Sequence, residues 1–238
     1  MATIHSSKRQ SKKNTSSDID VQFNEAQTWG GALNAYRSAT KGFSQNPQPL
    51  IFYILVSAVL IFVSSLLIHH QSVADSVQNL RITLIEGIVA LFFLPFTLRY
   101  ELAVAYKKQV RIDELIQLDL MMLVYLLITV VLAVALFVAG FLALIFPLIW
   151  IAPWIYLVFY PVVDLNYGPS TSFDYVIKLT KNNKGKVWGI IGVSILLTLG
   201  SSLLSFIPLF GTALSLFITL LSSTAAATLY VWLKEHLV

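Results

Sequence analysis

Besides Glu86 near the other end of its run, three ionisable side chains stand where the sequence is otherwise apolar: Arg99 and Glu101 in LPFTLRYELAVAY, and Asp119 in LIQLDLMML. A charge inside a bilayer is costly, so such residues pair, snorkel towards water, or line a solute or proton pathway. All three fall at similar depth near one end of their apolar runs. An Arg99–Asp119 or Arg99–Glu101 contact follows, and the three form a candidate intramembrane polar cluster. A second set is basic. It comprises Arg37 and Lys41 in ALNAYRSATK, and Lys178, Lys181, Lys184 and Lys186 in GPSTSFDYVIKLTKNNKGKVWG. A Lys or Arg beside anionic headgroups gains about 1 kcal/mol. These six are candidate headgroup or partner contacts.

Other chemistry finds little support. The chain has no cysteine, which removes disulfides, thiol nucleophiles and thiolate metal sites. His69 and His70 are adjacent and point about 100° apart on a helix, so they make a poor metal pair. No HExxH and no phosphate-binding glycine loop occurs. Serines 201, 202, 205, 222 and 223 lack a histidine at membrane depth. With Gly189, Gly192, Gly200 and Ala225 to Ala227 they read as small residues that let helices approach. The expectation is a non-enzymatic protein with no cofactor and no metal.

The elements that carry these residues are set by hydropathy. Hydrophobic residues make up 57% of the 238 and charged residues 12%. A soluble core of this size would need far more surface charge, and several apolar runs exceed the roughly 18 residues that mark a bilayer span. Residues 1–24 are polar and predict a disordered tail. Its Lys8, Arg9, Lys12 and Lys13 suit anionic lipid rather than nucleic acid. The first 49 residues lack the apolar core of a signal peptide, so the first span is expected to be an uncleaved anchor.

Residues 25–238 form the membrane domain. Spans are predicted at about 50–68, 82–106, 115–145, 148–163, 186–206 and 212–233. The turn between the third and fourth spans falls at Pro147 or Gly140. Pro147 is preferred because it places Trp150 and Trp154 at one membrane interface and Tyr160 at the other. Two helices, about 28–43 and 169–182, read as amphipathic and interfacial. In the first, Trp29, Leu33, Tyr36, Thr40 and Phe43 share a face. In the second, Phe173, Val176, Ile177 and Thr180 face inward, and Asp174, Lys178 and Lys181 face water. Every Lys and Arg except Arg81 and Arg99 then lies on the side of the termini, which the positive-inside rule makes cytoplasmic. The predicted fold is therefore all-α, a polytopic bundle of six transmembrane helices with two cytoplasmic interfacial helices.

Residues 32–41 and 172–181 are similar, and each precedes a span containing SSLL. If the two units are a duplication, spans three and four form a central hairpin between them.

Pro147, Asp164, Gly168-Pro169 and LTKNN with Trp188 carry a family resemblance. Over about residues 105–235 the chain resembles a prokaryotic membrane family. That family includes the membrane domain of some glycerophosphoryl diester phosphodiesterases and the YciC-type inner-membrane proteins. Leu148 departs from the Gly usual after the turn proline, and Trp154 from a common basic residue. The resemblance implies six helices in a prokaryotic inner membrane and no established activity. The expected function is organisation of lipids or partner membrane proteins at the cytoplasmic face. The alternative is a small-solute or lipid transporter using Arg99, Glu101 and Asp119.

Overall fold

The computed structural model describes residues 30–69, 76–117, 119–143, 146–202 and 208–237. The tail of residues 1–24, Trp29 and His70 lie outside them. The chain divides at Gly30, and Gly31–Val238 is one compact unit. Every element among the described residues is a helix.

Helix α1 is Ala32–Gln45, α2 Pro47–His69 and α3 Ser76–Ala105. A short α4, Ile112–Ile116, leads to α5, Leu120–Leu142. Then come α6 (Phe146–Leu157), α7 (Phe159–Asp164), α8 (Pro169–Thr180), α9 (Lys184–Ser202) and α10 (Pro208–Leu237). Four stretches are long and apolar enough to cross a membrane: Leu120–Leu142, Pro147–Asp164, Lys184–Ser202 and Ala213–His236.

Local chemistry sets several of the boundaries. Asp119 caps α5, its carboxylate accepting from the Met121 amide at 3.0 Å. Pro169 opens α8 at a position where its missing N–H is not needed. The α5–α6 turn falls after Leu142 and before Pro147. Gly140 is inside α5, where an added Cβ would lie 3.4 Å from Leu148.

Helix α10 is the axis. At 30 residues it spans about 45 Å, and it packs against α1, α2, α3, α6, α8 and α9. Leu220, Thr224 to Ala227, Leu229, Tyr230 and Leu233 are fully buried along it. Beside it Phe43, Tyr53, Phe96, Tyr100, Val104, Leu115 and Leu220 form an apolar core, with Phe93 and Phe217 at its edge. Phe43 stacks on Tyr100 at 6.0 Å, and Phe93 stacks on Phe96 at 5.2 Å. In contrast α5 is apolar all round. It turns only Met122, Leu126, Thr129, Ala133 and Gly140 inward.

The two amphipathic segments differ from expectation in rotation and setting. Helix α1 begins at Ala32, after Gly31, whose φ of 87° suits glycine. Its buried face is Ala35, Tyr36, Ala39, Gly42 and Phe43, while Leu33 is 73% exposed and Thr40 is also exposed. That face meets α10, α9 and α3 rather than lipid. Small residues face inward because the helices are too close for leucine. Helix α8 buries Ser172, Val176, Leu179 and Thr180, and Ile177 turns outward.

The tightest approach is at Gly42, where a Cβ would lie 2.3 Å from Val104 Cγ1 and 3.3 Å from Val104 Cβ. Gly42→Ala is expected to destabilise the bundle by about 1–3 kcal/mol through overpacking. Val104→Ala in the same chain should restore part of the loss. Gly192→Ala, which meets nothing within 4 Å, should not lower stability. Thermal unfolding in detergent of the three variants and the double checks this, and equal melting of Gly42→Ala and wild type would refute the close approach.

Candidate functional site

Three tiers of polar side chains line α10. On α6 and α7, Tyr156, Tyr160 and Asp164 recur every four residues, so one helical stripe carries all three. On α10, Ser222, Ser223, Tyr230 and Lys234 answer them.

The first tier gathers the ends of three helices around Asp164. Lys234 Nζ lies 2.7 Å from Asp164 Oδ2, and the Tyr230 hydroxyl donates to the same oxygen at 2.9 Å. The Tyr106 hydroxyl donates to the carboxylate at 3.0 Å and accepts from Lys234 at 2.9 Å. The Asp164 and Lys234 side chains are 13% and 28% exposed, so the pair is only partly shielded from water. A carboxylate, an ammonium and two phenols thus join α3, α7 and α10 with no net charge.

The second tier holds Glu101, which is 2% exposed. Ser223 Oγ lies 2.5 Å from Glu101 Oε1. The Tyr160 hydroxyl lies 3.1 Å from Oε2 and 2.7 Å from the Ser223 carbonyl. The rings of Tyr160 and Tyr230 stack at 5.5 Å, which sets this tier directly against the first.

The third tier contains hydroxyls alone. Tyr36 of α1 shares a 2.7 Å hydrogen bond with Ser194 and donates to Ser222 Oγ at 3.3 Å. Tyr156 shares a 3.1 Å bond with Ser194 and donates to the Ser222 carbonyl at 3.4 Å. A separate knot forms at the end of α1. Buried Asn46 donates to the Lys108 carbonyl at 3.1 Å and accepts from the Val110 amide at 3.1 Å. It holds the loop after α3 in place.

Only Glu101 of the expected Arg99, Glu101 and Asp119 group is in this seam. Residues two apart on a helix do not share a face, so Arg99 and Glu101 diverge. Arg99 donates to the Gln117 carbonyl and reaches Met122 Sδ at 3.8 Å. Asp119 is exposed at the cap of α5. The ion pairs among the described residues are Arg111–Asp113 and Lys234–Asp164.

The basic candidates split in two. Arg37, Lys41, Lys178 and Lys181 are exposed and make no ion pair among the described residues. Lys184 and Lys186 are engaged by aromatic faces. Lys184 Nζ lies 4.2 Å from the Trp150 ring and 5.4 Å from Trp154. Lys186 lies 4.1 Å from Trp232 and donates to Asn183 at 2.7 Å. Such cation–π contacts contribute about 0.5–2 kcal/mol. They also place Trp150 and Trp154 at the Lys184 end of α9, not at the interface opposite Tyr160. Pro153 and Pro161 each remove a helical hydrogen bond on either side of Val158, and α6 also packs against α9.

Sequence reading missed the Asp164–Lys234 centre. The four-residue spacing of Tyr156, Tyr160 and Asp164 was the available signal. Compared with family models, curated proteins and solved structures, the chain matches none.

A double-mutant cycle tests the first tier. Asp164→Asn and Lys234→Met should each destabilise, and the double variant should lose less than the sum, with coupling of about 0.5–3 kcal/mol. Additive losses in detergent unfolding would show that the pair is not coupled.

Proposed function

We propose that the protein is an integral membrane protein that organises lipids or partner proteins at the cytoplasmic membrane face without chemistry of its own. Helices α2 and α3 complete six spans with the four apolar stretches, and both termini face the cytoplasm. Its membrane is a prokaryotic inner membrane, on the resemblance already described. The apolar surface of α5 supports the membrane setting, with Leu120, Val131, Val134, Phe137 and Phe141 all exposed.

One observation carries the functional reading. Arg37, Lys41, Lys178 and Lys181 remain exposed on helices whose opposite faces are buried in the bundle. Cations beside a membrane find their counter-charge in phosphate headgroups. Lys184 and Lys186 serve instead as anchors at the start of α9, through Trp150, Trp154 and Trp232.

Spin-labelled lipids in vesicles containing the full chain provide the test. Phosphatidylglycerol should associate with the protein more strongly than phosphatidylcholine. The variant with Arg37, Lys41, Lys178 and Lys181 all changed to Gln should lose most of that preference, at about 1 kcal/mol per cation at low salt. Added salt should weaken the wild-type preference by screening. Equal association of the two lipids with the wild type would sink this reading.

A further inference from the structure

Glu101 is the one carboxylate, Lys, Arg or His buried from solvent among the described side chains. It makes no ion pair there. Tyr160 on α7 and Ser223 on α10 touch it; Tyr53 on α2 and Tyr156 on α6 lie within reach of its charge, and α5 brings Asp119 towards Arg99. Tyr230 stands behind the Tyr160 ring, Tyr36 of α1 belongs to the third tier, and α4 contributes Leu115 to the adjoining core. On its own helix Tyr100 is buried in that core, and Arg99 is turned to Gln117. None of the facing groups brings a positive charge. A bare carboxylate in such a place costs several kcal/mol, so it requires a counter-charge.

The hydrogen-bond inventory identifies one. Ser223 Oγ lies 3.1 Å from both the Thr219 and Leu220 carbonyls, the usual backbone acceptors of a helical serine. The Tyr160 hydroxyl lies closer to the Ser223 carbonyl, at 2.7 Å, than to Glu101, at 3.1 Å. A hydroxyl has one proton to give, and each of these two has a backbone acceptor for it. When both give their protons to the backbone, their lone pairs face the carboxyl, which can then donate to Ser223 Oγ at 2.5 Å. A proton on Glu101 completes the network with a hydrogen bond to Ser223.

We propose that Glu101 is an intramembrane proton-binding site, held as a neutral acid by Ser223 and Tyr160. The same two hydroxyls can turn their hydrogens from the backbone to the carboxylate. Loss of the proton therefore leaves an anion with two hydrogen bonds, and no helix needs to move. The O–H bond of Glu101 breaks, and its proton passes to water at the Asp164–Lys234 end, one ring stack away. The site is independent of the basic surface that carries the lipid reading.

Infrared spectroscopy of the full chain in phosphatidylcholine vesicles tests it. The wild type should show a neutral carboxyl C=O band at neutral pH that shifts in D2O and disappears on alkaline titration. Glu101→Gln should abolish the band, and Asp164→Asn should retain it. Absence of the band from the wild type, or its survival in Glu101→Gln, would overturn the proposal. Should Glu101→Gln fail to fold, Ser223→Ala and Tyr160→Phe keep the carboxyl and must each shift the band. A band indifferent to both refutes the site. Exchanging choline for sodium at constant pH should leave the band unchanged. Its loss in sodium would assign the pocket to the metal cation instead.

Discussion

A polar group placed among apolar helices must find its partner within the protein, because no water is there to supply one. Helix α10 is where this constraint concentrates. It is more buried than the other candidate spans, yet it carries Ser222, Ser223, Thr224, Tyr230 and Lys234. Each of these is matched, by another helix or by a carbonyl one turn back. The matches fix the rotation of α10 against α3 and α7. Apolar contacts alone would not, since leucine packs on any face of a leucine-rich helix.

The tiers also grade the chemistry from one end of the bundle to the other. Asp164 and Lys234 form a charge-balanced pair where solvent still reaches them. Glu101, further along α3, has hydroxyl partners but no opposite charge. Beyond it come Tyr36, Tyr156, Ser194 and Ser222, which carry no charge at neutral pH. The ion pair sits where solvent still reaches it, as desolvation favours. Aromatic rings occupy the spaces between: Tyr160 on Tyr230 joins two tiers, and Phe43 on Tyr100 closes the flank. Outside, lysines are sorted by the same physics. Those beside tryptophan are held on indole faces, and those on the outer faces of α1 and α8 stay open to headgroups.

Much of the helical framework was legible in the chain. Long apolar runs, Pro169 and the polar loops predict helices close to those observed, and the wet faces of α1 and α8 carry the expected cations. The rotation of α1 was not legible. Its periodicity favours Leu33 as an inward residue, but the inward face is Ala35, Tyr36, Ala39, Gly42 and Phe43, with Gly42 against Val104. In the Arg99, Glu101 and Asp119 grouping, Arg99 does lie within reach of the Asp119 charge, and Glu101 departs for the same reason. Depth along a helix can be counted in sequence, but direction around it depends on the neighbours.

The sequence by itself determined that the protein is helical and apolar, roughly where the long helices lie, and that Arg37, Lys41, Lys178 and Lys181 stay wet. These follow from composition, spacing and local capping, all properties of neighbouring residues. Only the tertiary structure decided that Asp164 meets Lys234, that Glu101 meets Ser223 and Tyr160, and that Trp150 meets Lys184. Each pair is far apart in the chain. In so apolar a sequence most faces of a helix look alike, so the partner is chosen by how closely whole helices can approach.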